Sequence, residues 1–380
     1  ENTHNIHRII IHPTDHHTVW VGVTGTAWGD SPNRGVYKTT DGGKSWEHVL
    51  YTDESTGVAD MIIDPSNPDK LLVAMWSHRR QPWFFTSGGE GSALHITHDG
   101  GSTWKKLTDE AGLPGGELGR IGLAVSAANP DVIYALVEST NTGLYHSKDG
   151  GVSWSLIQRD NIGNRPFYYA DIYADPSDER RLFNLYSMVD LSEDGGRTFR
   201  TILPYSGVHP DHHAFYIHPD NPNFLIDGND GGLNISRDGG KSWTFVNNLP
   251  LGQFYHIAVD MAVPYRIYGG MQDNGSWVGP SEVWHSGGIR NEDWQEVMFG
   301  DGFDVLPAPG DLNTAYAMYQ GGSLARIDLR NGNQSSIQPV QPDTVPLRFA
   351  WNAAIAADPK DPNGVYFGSQ MVHHSANRGG

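Results

Sequence analysis

Residues 39–46 read TTDGGKSW, and close variants of this octapeptide return at 97–104 (THDGGSTW), 147–154 (SKDGGVSW), 192–199 (SEDGGRTF) and 236–243 (SRDGGKSW). The shared pattern is Ser/Thr-x-Asp-x-Gly-x-Ser/Thr-Trp/Phe. Successive copies of its aspartate are 58, 50, 45 and 44 residues apart. A repeat of this length indicates a protein built from one supersecondary unit used many times.

A second turn recurs in phase with this motif. It reads DPSNP at 64–68, DPSD at 175–178 and HPDNP at 218–222, and each copy lies between two short apolar runs. Each unit therefore consists of strand A, a proline turn, strand B, a variable loop, strand C, the aspartate turn and strand D. Four antiparallel strands in roughly 45 residues form a β-propeller blade. The sequence predicts an all-β propeller of seven complete four-stranded units, plus strands A to C of an eighth.

Composition excludes several classes of function. The 380 residues include 26 Lys+Arg and 44 Asp+Glu, a net charge of −18, which argues against a nucleic-acid-binding surface. No apolar run is long enough for a membrane-spanning helix. Cysteine is absent, which excludes disulfides, thiolate metal sites and a cysteine nucleophile. We expect a single propeller over residues 1–380. Because the last motif copy stops at SANRGG, we also expect the chain to be part of a longer protein.

The motif aspartates are predicted to be structural rather than catalytic. The Ser/Thr hydroxyl and the carboxylate can accept backbone N–H bonds inside the turn, and the paired glycines allow the positive φ that such a turn needs. The Trp or Phe then begins strand D and can pack between neighbouring blades. This interpretation applies to Asp41, Asp99, Asp149, Asp194 and Asp238.

The repeated motif resembles the Asp-box (BNR) repeats of sialidases, of xyloglucanase-type glycoside hydrolases and of the sortilin ectodomain. With GNDGG at 228–232 and GGMQDNG at 269–275, the whole chain is similar to large bacterial BNR-repeat proteins described as sortilin-like or glycosyl-hydrolase-like. The resemblance implies a β-propeller, a secreted or cell-envelope location, and a glycan, peptide or protein ligand. It specifies the fold more strongly than the function, because propellers host many unrelated activities.

Candidate site residues are concentrated on one predicted face. In such a blade the A–B and C–D turns lie at one end and the B–C and D–A loops at the other. Here the second set is longer and richer in aromatic residues, and sites concentrate on loops of this kind. Rings beside polar groups suit a carbohydrate ligand. The candidate catalytic carboxylates are Asp230, Asp273 and Asp301, and the candidate ligand-binding residues are Arg79, Arg80, Trp83, Arg165, Tyr168, His213, Gln272, Asn274 and Trp277.

Each of these candidates also has a structural interpretation. Asn-Asp-Gly-Gly and Asp-Asn-Gly are ordinary turn sequences in which the aspartate caps its own backbone. The run Trp83-Phe84-Phe85 could pin a long loop by forming a hydrophobic cluster. Adjacent His212 and His213 should point to opposite faces of a strand, which disfavours a shared metal ion. No cofactor is expected, although a Ca²⁺ ion in the oxygen-rich turn 227–230 stays open.

Three functional hypotheses remain. The first is an extracytoplasmic propeller that binds a glycan or peptide through its B–C/D–A face. The second is a xyloglucanase-like glycoside hydrolase with two aspartates as acid and base. The third is a structural component of the cell envelope. Sialidase activity is disfavoured because the chain has no Arg-Ile-Pro segment, and the sequence leaves open whether the protein is an enzyme.

Overall fold

The computed structural model describes residues 3–160, 166–169, 171–249, 251–341 and 345–380. Within these ranges the strands form eight separate antiparallel sheets, seven with at least four strands and one with three. In each sheet, strands that follow one another along the chain lie side by side, except that the five-stranded sheet has one extra strand paired only with the strand before it. This meander is the topology of a propeller blade. The predicted all-β fold, with seven complete units and three strands of an eighth, is confirmed.

The chain divides into two compact units, of which the first is Glu1–Asn247. Unit 1 contains five blades. Blade 1 is formed by β1 (Ile6–Ile11), β2 (Val19–Val23), β3 (Gly35–Thr39) and β4 (Glu47–Leu50). Blade 2 is formed by β5 (Thr56–Asp64), β6 (Asn67–Arg80), β7 (Phe85–Ser87), β8 (Ala93–Thr97) and β9 (Lys105–Leu107). Blade 3 is formed by β10 (Leu118–Ser126), β11 (Asn129–Ser139), β12 (Gly143–Ser147) and β13 (Ser155–Gln158).

The remaining elements of unit 1 follow the same plan. Blade 4 is formed by β14 (Asp171–Asp175), β15 (Asp178–Leu185), β16 (Val189–Ser192) and β17 (Arg200–Leu203). Blade 5 is formed by β18 (His212–Ile217), β19 (Leu225–Asn229), β20 (Gly232–Ser236) and β21 (Thr244–Phe245). A 3₁₀ turn at Asp109–Ala111 and the four-residue helix α1 (Pro166–Tyr169) lie in D–A connections.

Unit 2, Asn248–Gly380, contains two full blades and the three-stranded one. Blade 6 is formed by β22 (His256–Val259), β23 (Arg266–Gly270), β24 (Ser276–Pro280) and β25 (Gln295–Met298). Blade 7 is formed by β26 (Val305–Ala308), β27 (Asp311–Tyr319), β28 (Ser323–Asp328) and β29 (Asn333–Ser336). Blade 8 is formed by β30 (Ile355–Ala357), β31 (Val365–Gly368) and β32 (Val372–Ser375), and 3₁₀ turns occur at Asn291–Asp293 and Gln320–Gly322. None of the helices in the described ranges is long and apolar enough to cross a membrane.

Within each unit, the core consists of apolar layers between successive blades. Central strands such as β6 and β8 are buried on both faces, which explains their continuous apolar runs. Trp154, the aromatic residue of the third motif copy, is buried against Leu72, Leu94 and Ile121 in the layer between blades 2 and 3. The motif therefore supplies both a turn and an interblade packing residue.

Each motif aspartate lies inside a set of hydrogen bonds formed by its own turn. Asp41 Oδ1 accepts the backbone N–H groups of Lys44 (2.9 Å) and Ser45 (3.0 Å), and Asp41 Oδ2 accepts the Ser45 hydroxyl (2.6 Å). Equivalent bonds surround the other four copies. The hydroxyl and the backbone amide of Ser242 lower the pKa of Asp238 to about 2. These carboxylates are anionic acceptors at neutral pH.

Candidate functional site

The longest excursion on the B–C side of unit 1 is a two-stranded hairpin over residues 76–87, which we call the finger. The sequence suggested one long loop here, but β6 continues to Arg80 and pairs with β7, with Arg80 opposite Phe85. Pairing satisfies backbone groups that an irregular loop would leave to water. The Trp76 ring stacks on His78 (centroids 4.2 Å apart), and its Nε1 donates to Ser87 Oγ (2.9 Å). The finger is thus a regular, internally bonded element.

A buried arginine organises the neighbouring loop of blade 1. Arg34 donates Nη1 to the carbonyl of Thr24 (2.7 Å), and donates Nη2 to the carbonyls of Thr26 (2.5 Å) and Gly29 (3.0 Å). Burial lowers the pKa of this guanidinium, which is nevertheless charged at any physiological pH. These bonds fix the loop backbone on both sides of Trp28, whose side chain is 62% exposed.

The finger is attached to this loop by two consecutive arginines. The backbone N–H of Arg80 donates to the Ala27 carbonyl (2.8 Å), and Arg79 forms an ion pair with Asp30. Arg79 Nη1 also reaches the Trp28 carbonyl (3.4 Å). The guanidinium carbon of Arg80 lies 5.9 Å from the centroid of the Trp28 ring, within the range of a cation–π interaction.

Aromatic rings occupy the tip and the far side of the finger. Trp83 and Phe84 are 76% and 52% exposed, and their centroids are 6.4 Å apart. Phe85 turns towards α1, where its centroid lies 5.2 Å from that of Phe167. The Phe167 ring in turn meets the Tyr168 ring edge-on at 6.1 Å. Side-chain contacts therefore connect the finger with the D–A segment that precedes blade 4.

The ring contacts end at a histidine–aspartate pair on blade 5. The His213 ring lies 6.0 Å from that of Tyr168, and His213 Nε2 is 3.3 Å from Asp230 Oδ1. This hydrogen bond raises the pKa of His213 above its usual value. Arg120 fixes the segment from below, because its Nη1 donates to the Tyr168 carbonyl (2.8 Å) and its Nη2 to Asp171 (3.2 Å).

These contacts bring six of the predicted site residues, from blade 2, α1 and blade 5, onto the B–C/D–A side of unit 1. They are Arg79, Arg80, Trp83, Tyr168, His213 and Asp230. Arg165, a further predicted ligand-binding residue, lies outside the described residues. Sequence reasoning missed Phe167 and Arg34, whose roles depend on contacts with other loops. We call the ring-bearing part of this surface the aromatic arc, which comprises Trp28, Trp83, Phe84, Phe85, Phe167, Tyr168 and His213.

Unit 2 contains the other two candidate carboxylates, which lie next to each other. Asp301 is buried, and its Oδ2 accepts Trp351 Nε1 (2.7 Å). Its Oδ1 accepts the backbone N–H of Asp273 (3.2 Å). The Asp301 N–H donates to Gln320 Oε1 (2.8 Å). Asp273 has a left-handed backbone with φ 60°. The Asp301 carboxylate therefore caps the turn that carries Asp273.

The remaining predicted ligand-binding residues in unit 2 form hydrogen bonds within or beside this turn. The Tyr255 hydroxyl donates to Gln272 Oε1, and Asn274 Nδ2 donates to the Gln272 carbonyl (3.0 Å). Trp277 Nε1 donates to the Asn274 carbonyl (2.6 Å). The polar atoms used in these bonds stabilise the turn itself.

The oxygen-rich turn 227–230 is organised around a buried pair. The two carboxylate oxygens of Asp227 are 2.8 and 2.9 Å from His212 Nδ1, and Asn229 Nδ2 donates to Oδ2 (3.1 Å). The protein itself thus supplies hydrogen-bond partners to both oxygens of this carboxylate. In the part of the chain that the structure describes, no three His, Asp or Glu side chains are grouped to hold a metal ion.

The blades define an all-β protein of the β-propeller class, and comparison with curated proteins finds two relatives. The chain is 25% identical over 300 residues to a xyloglucanase of Paenibacillus sp, covering 76% of this chain and 25% of the relative. It is 26% identical over 182 residues to a probable oligoxyloglucan-reducing end-specific xyloglucanase of Neosartorya fischeri, covering 40% and 21%. The matched part spans a quarter or less of each relative. No family model matches the chain.

Solved structures similar to the chain include GH74 enzymes and YCF48. The GH74 xyloglucanase from Xanthomonas campestris is 17% identical with a TM-score of 0.40, covering 99% of this chain and 62% of that one. An ancestral GH74 enzyme is 17% identical with a TM-score of 0.48, covering 99% and 54%. YCF48 from Cyanidioschyzon merolae is 14% identical with a TM-score of 0.42, covering 98% and 96%. Similarity at this level carries no functional information.

Proposed function

We propose that this chain belongs to an extracytoplasmic β-propeller of the Asp-box type that binds a polysaccharide on the aromatic arc of unit 1. One observation carries the proposal. Trp83 and Phe84, two large rings, are exposed at the tip of a regular hairpin that is attached to the blade 1 loop. Large apolar side chains that are exposed to solvent on an ordered element are typical of binding surfaces.

Polar groups beside the rings complete a surface suited to sugars. The Tyr168 ring lies next to the His213–Asp230 pair, so an apolar face and hydrogen-bonding groups adjoin each other. Ligand sites commonly combine aromatic walls with a few positioned polar groups. The similarity to proteins named xyloglucanases supports a polysaccharide over a peptide. The Asp-box resemblance supports the extracytoplasmic location.

The motif aspartates and Asp301 are proposed to be structural. The five motif aspartates accept several hydrogen bonds each within their own turns, and Asp301 accepts bonds at both of its oxygens. Such bonds lower the pKa of the motif carboxylates, which are therefore poor proton donors. We therefore assign these residues to turns rather than to catalysis.

The proposal is tested by measuring the affinity of the whole protein for soluble polysaccharides, including xyloglucan and a pectin, by affinity electrophoresis. Replacing Trp83 with alanine should weaken binding about tenfold or more, because stacking on a central ring contributes at least about 1.4 kcal/mol. Trp284→Ala is the matched control, since Trp284 is fully exposed on blade 6. Unchanged binding by Trp83→Ala, an equal loss in Trp284→Ala, or no binding of any polysaccharide would contradict the proposal.

A second candidate function is glycoside hydrolysis, which the similarity to xyloglucanases favours. Such enzymes need a carboxylic acid and a second carboxylate on either side of the scissile bond. Asp273 is the candidate acid beside Asp301, and Asp230 is the candidate in unit 1. Release of reducing ends from xyloglucan that disappears in Asp273→Asn or Asp230→Asn would support an enzyme. Without release, the second candidate fails and the binding function is unaffected.

A further inference from the structure

We infer that the polysaccharide bound by the aromatic arc carries carboxylate groups, as a uronic-acid polymer does, and that Arg80 binds them. This inference rests on the proposed function and specifies the ligand class of the same surface. It also differs from the xyloglucan named for the relatives, because xyloglucan is an uncharged polymer.

Three other basic side chains along the described part of the arc already pair with carboxylates of the protein, and the buried Arg34 guanidinium donates to backbone carbonyls. Arg79 is paired with Asp30, Arg120 with Asp171, and His213 with Asp230. In each case the carboxylate belongs to a loop or strand of unit 1. An anionic ligand would have to displace a protein carboxylate in order to pair with any of these three cations, which would offset most of the gain.

Arg80 has a different environment. Its side chain is exposed at the base of the finger tip, and among the described residues no carboxylate lies within ion-pair distance of it. The neighbour of its guanidinium is the Trp28 ring, at 5.9 Å. Among the described residues, the guanidinium N–H groups of Arg80 have no hydrogen-bond acceptor and are available to a ligand. The guanidinium can therefore bind a carboxylate through two parallel hydrogen bonds.

The structure also orients Arg80 before any ligand binds. The Arg80 N–H is bonded to the Ala27 carbonyl (2.8 Å), and its strand partner is Phe85 in β7. Trp28, on which the guanidinium lies, belongs to the loop that Arg34 fixes. Ordering a long side chain on binding costs conformational entropy, and this arrangement reduces that cost.

The charge of the whole chain makes such a cation selective. With a net charge of −18, most of the surface repels a polyanion. An acidic polymer therefore gains favourable electrostatic interaction only where a positive charge has no carboxylate partner. Arg80 lies near the exposed rings of Trp83 and Phe84 in the sequence and in the finger. The rings can stack on sugar faces while the guanidinium binds the carboxylate of the neighbouring sugar. Recognition then depends on both features together.

The test compares three polymers with the whole protein: polygalacturonate, the same polymer fully methyl-esterified, and xyloglucan. Wild type should bind polygalacturonate about tenfold more tightly than the ester, the size of one charge-assisted contact, and added salt should reduce this preference. Arg80→Gln should abolish the preference, whereas Arg80→Lys should retain part of it. Arg237→Gln is the matched control, because Arg237 is also exposed, lies at a C–D turn, and has its guanidinium 5.9 Å from the Phe224 ring.

The outcomes separate this inference from the proposed function. If xyloglucan and the ester bind as tightly as polygalacturonate, and Arg80→Gln changes nothing, the inference is overturned and the binding function stands. An equal loss of preference in Arg237→Gln also overturns the inference. If no polymer binds, both the inference and the proposed function fail. Circular dichroism checks that each variant is folded. If Arg80→Gln does not fold, Arg80→Lys, which keeps the positive charge, is the variant to compare with wild type.

Discussion

Individual aspartates in this chain differ in how many hydrogen bonds their carboxylate oxygens accept. The motif aspartates are near the surface, yet each accepts hydrogen bonds from hydroxyl and amide groups of its turn. Asp190 in β16 is buried, and its Oδ1 has no hydrogen-bond partner among the described residues. The first arrangement stabilises the anion, and the second destabilises it. The two kinds of aspartate should therefore respond oppositely to substitution.

Asp149→Ala should lower the free energy of unfolding by about 1 kcal/mol. The substitution removes bonds from the Ser153 amide (2.9 Å) and the Ser153 hydroxyl, and partial exposure limits the loss. Denaturant unfolding measures the effect. Asp131→Ala is the control, because Asp131 is an exposed aspartate beside the same turn. A loss no larger than in Asp131→Ala would contradict a structural role for the motif.

The free energy of unfolding of Asp190→Asn, relative to that of wild type, should increase as pH rises. Burial raises the pKa of Asp190, so the native state holds its proton more tightly than the unfolded chain. Ionisation therefore destabilises wild type as pH rises through the unfolded value of 3.8 and on through the raised folded value. Asparagine does not ionise and avoids this loss. Denaturant unfolding of both proteins at about pH 4 and about pH 7 tests the sign; a difference independent of pH would contradict it.

Among the elements, the finger departs most from the regular blade. Its strands are joined by residues 81–84, and the Gln81 N–H donates to the Phe84 carbonyl (2.8 Å). At its base, Ser87 Oγ accepts from Trp76 and donates to Glu138 (2.6 Å). The hydrogen bonds at the base hold the two strands of the finger, so the sequence of the tip can change without disturbing the blade.

Replacing residues 81–84 by Asn-Gly should preserve the fold and weaken polysaccharide binding. Asn-Gly forms the two-residue turn that joins antiparallel strands, and it connects Arg80 to Phe85 without changing their pairing. The melting temperature should change little, while affinity falls at least about tenfold with the loss of Trp83 and Phe84. Retained affinity in a folded variant would show that the finger tip is not the binding surface.

The blades were predictable because their signals are local. Proline turns such as 64–68 and the aspartate turns mark strand ends within a few residues, and the strand order follows from them. The finger was not predictable in this way, because it depends on pairing between His78–Arg80 and Phe85–Ser87 across a segment without a turn motif. The contact of Phe85 with Phe167 joins residues far apart in the chain. Loop position could not indicate which of the candidates touch.

For the whole molecule, the net charge of −18 and the two compact units are the leading features. Each unit has apolar clusters of its own, such as the layer around Leu72 and Trp154 in unit 1 and that around Tyr268 and Ile327 in unit 2. One closed propeller over residues 1–380 stays a prediction. The extracytoplasmic location is likewise a proposal.

The charge predicts no binding of duplex DNA at about 0.1 M salt, because phosphate binding needs a cluster of cations. Along the described arc, Arg79 and Arg120 are paired with carboxylates, which leaves too little positive charge for a duplex. Fluorescence anisotropy of a labelled duplex tests this prediction. Salt-sensitive binding would contradict it and would point to a basic surface that the composition does not suggest.

The central claim, that the aromatic arc binds a polysaccharide, is tested most directly by mapping tryptophan oxidation in the presence and absence of polysaccharide. Trp28, Trp83 and Trp284 are all exposed, but only the first two belong to the arc. Peptide mass spectrometry should find Trp83 and Trp28 protected by the polymer and Trp284 oxidised at an unchanged rate. Equal oxidation of Trp83 with and without the polymer, or protection of Trp284 instead, would contradict the account.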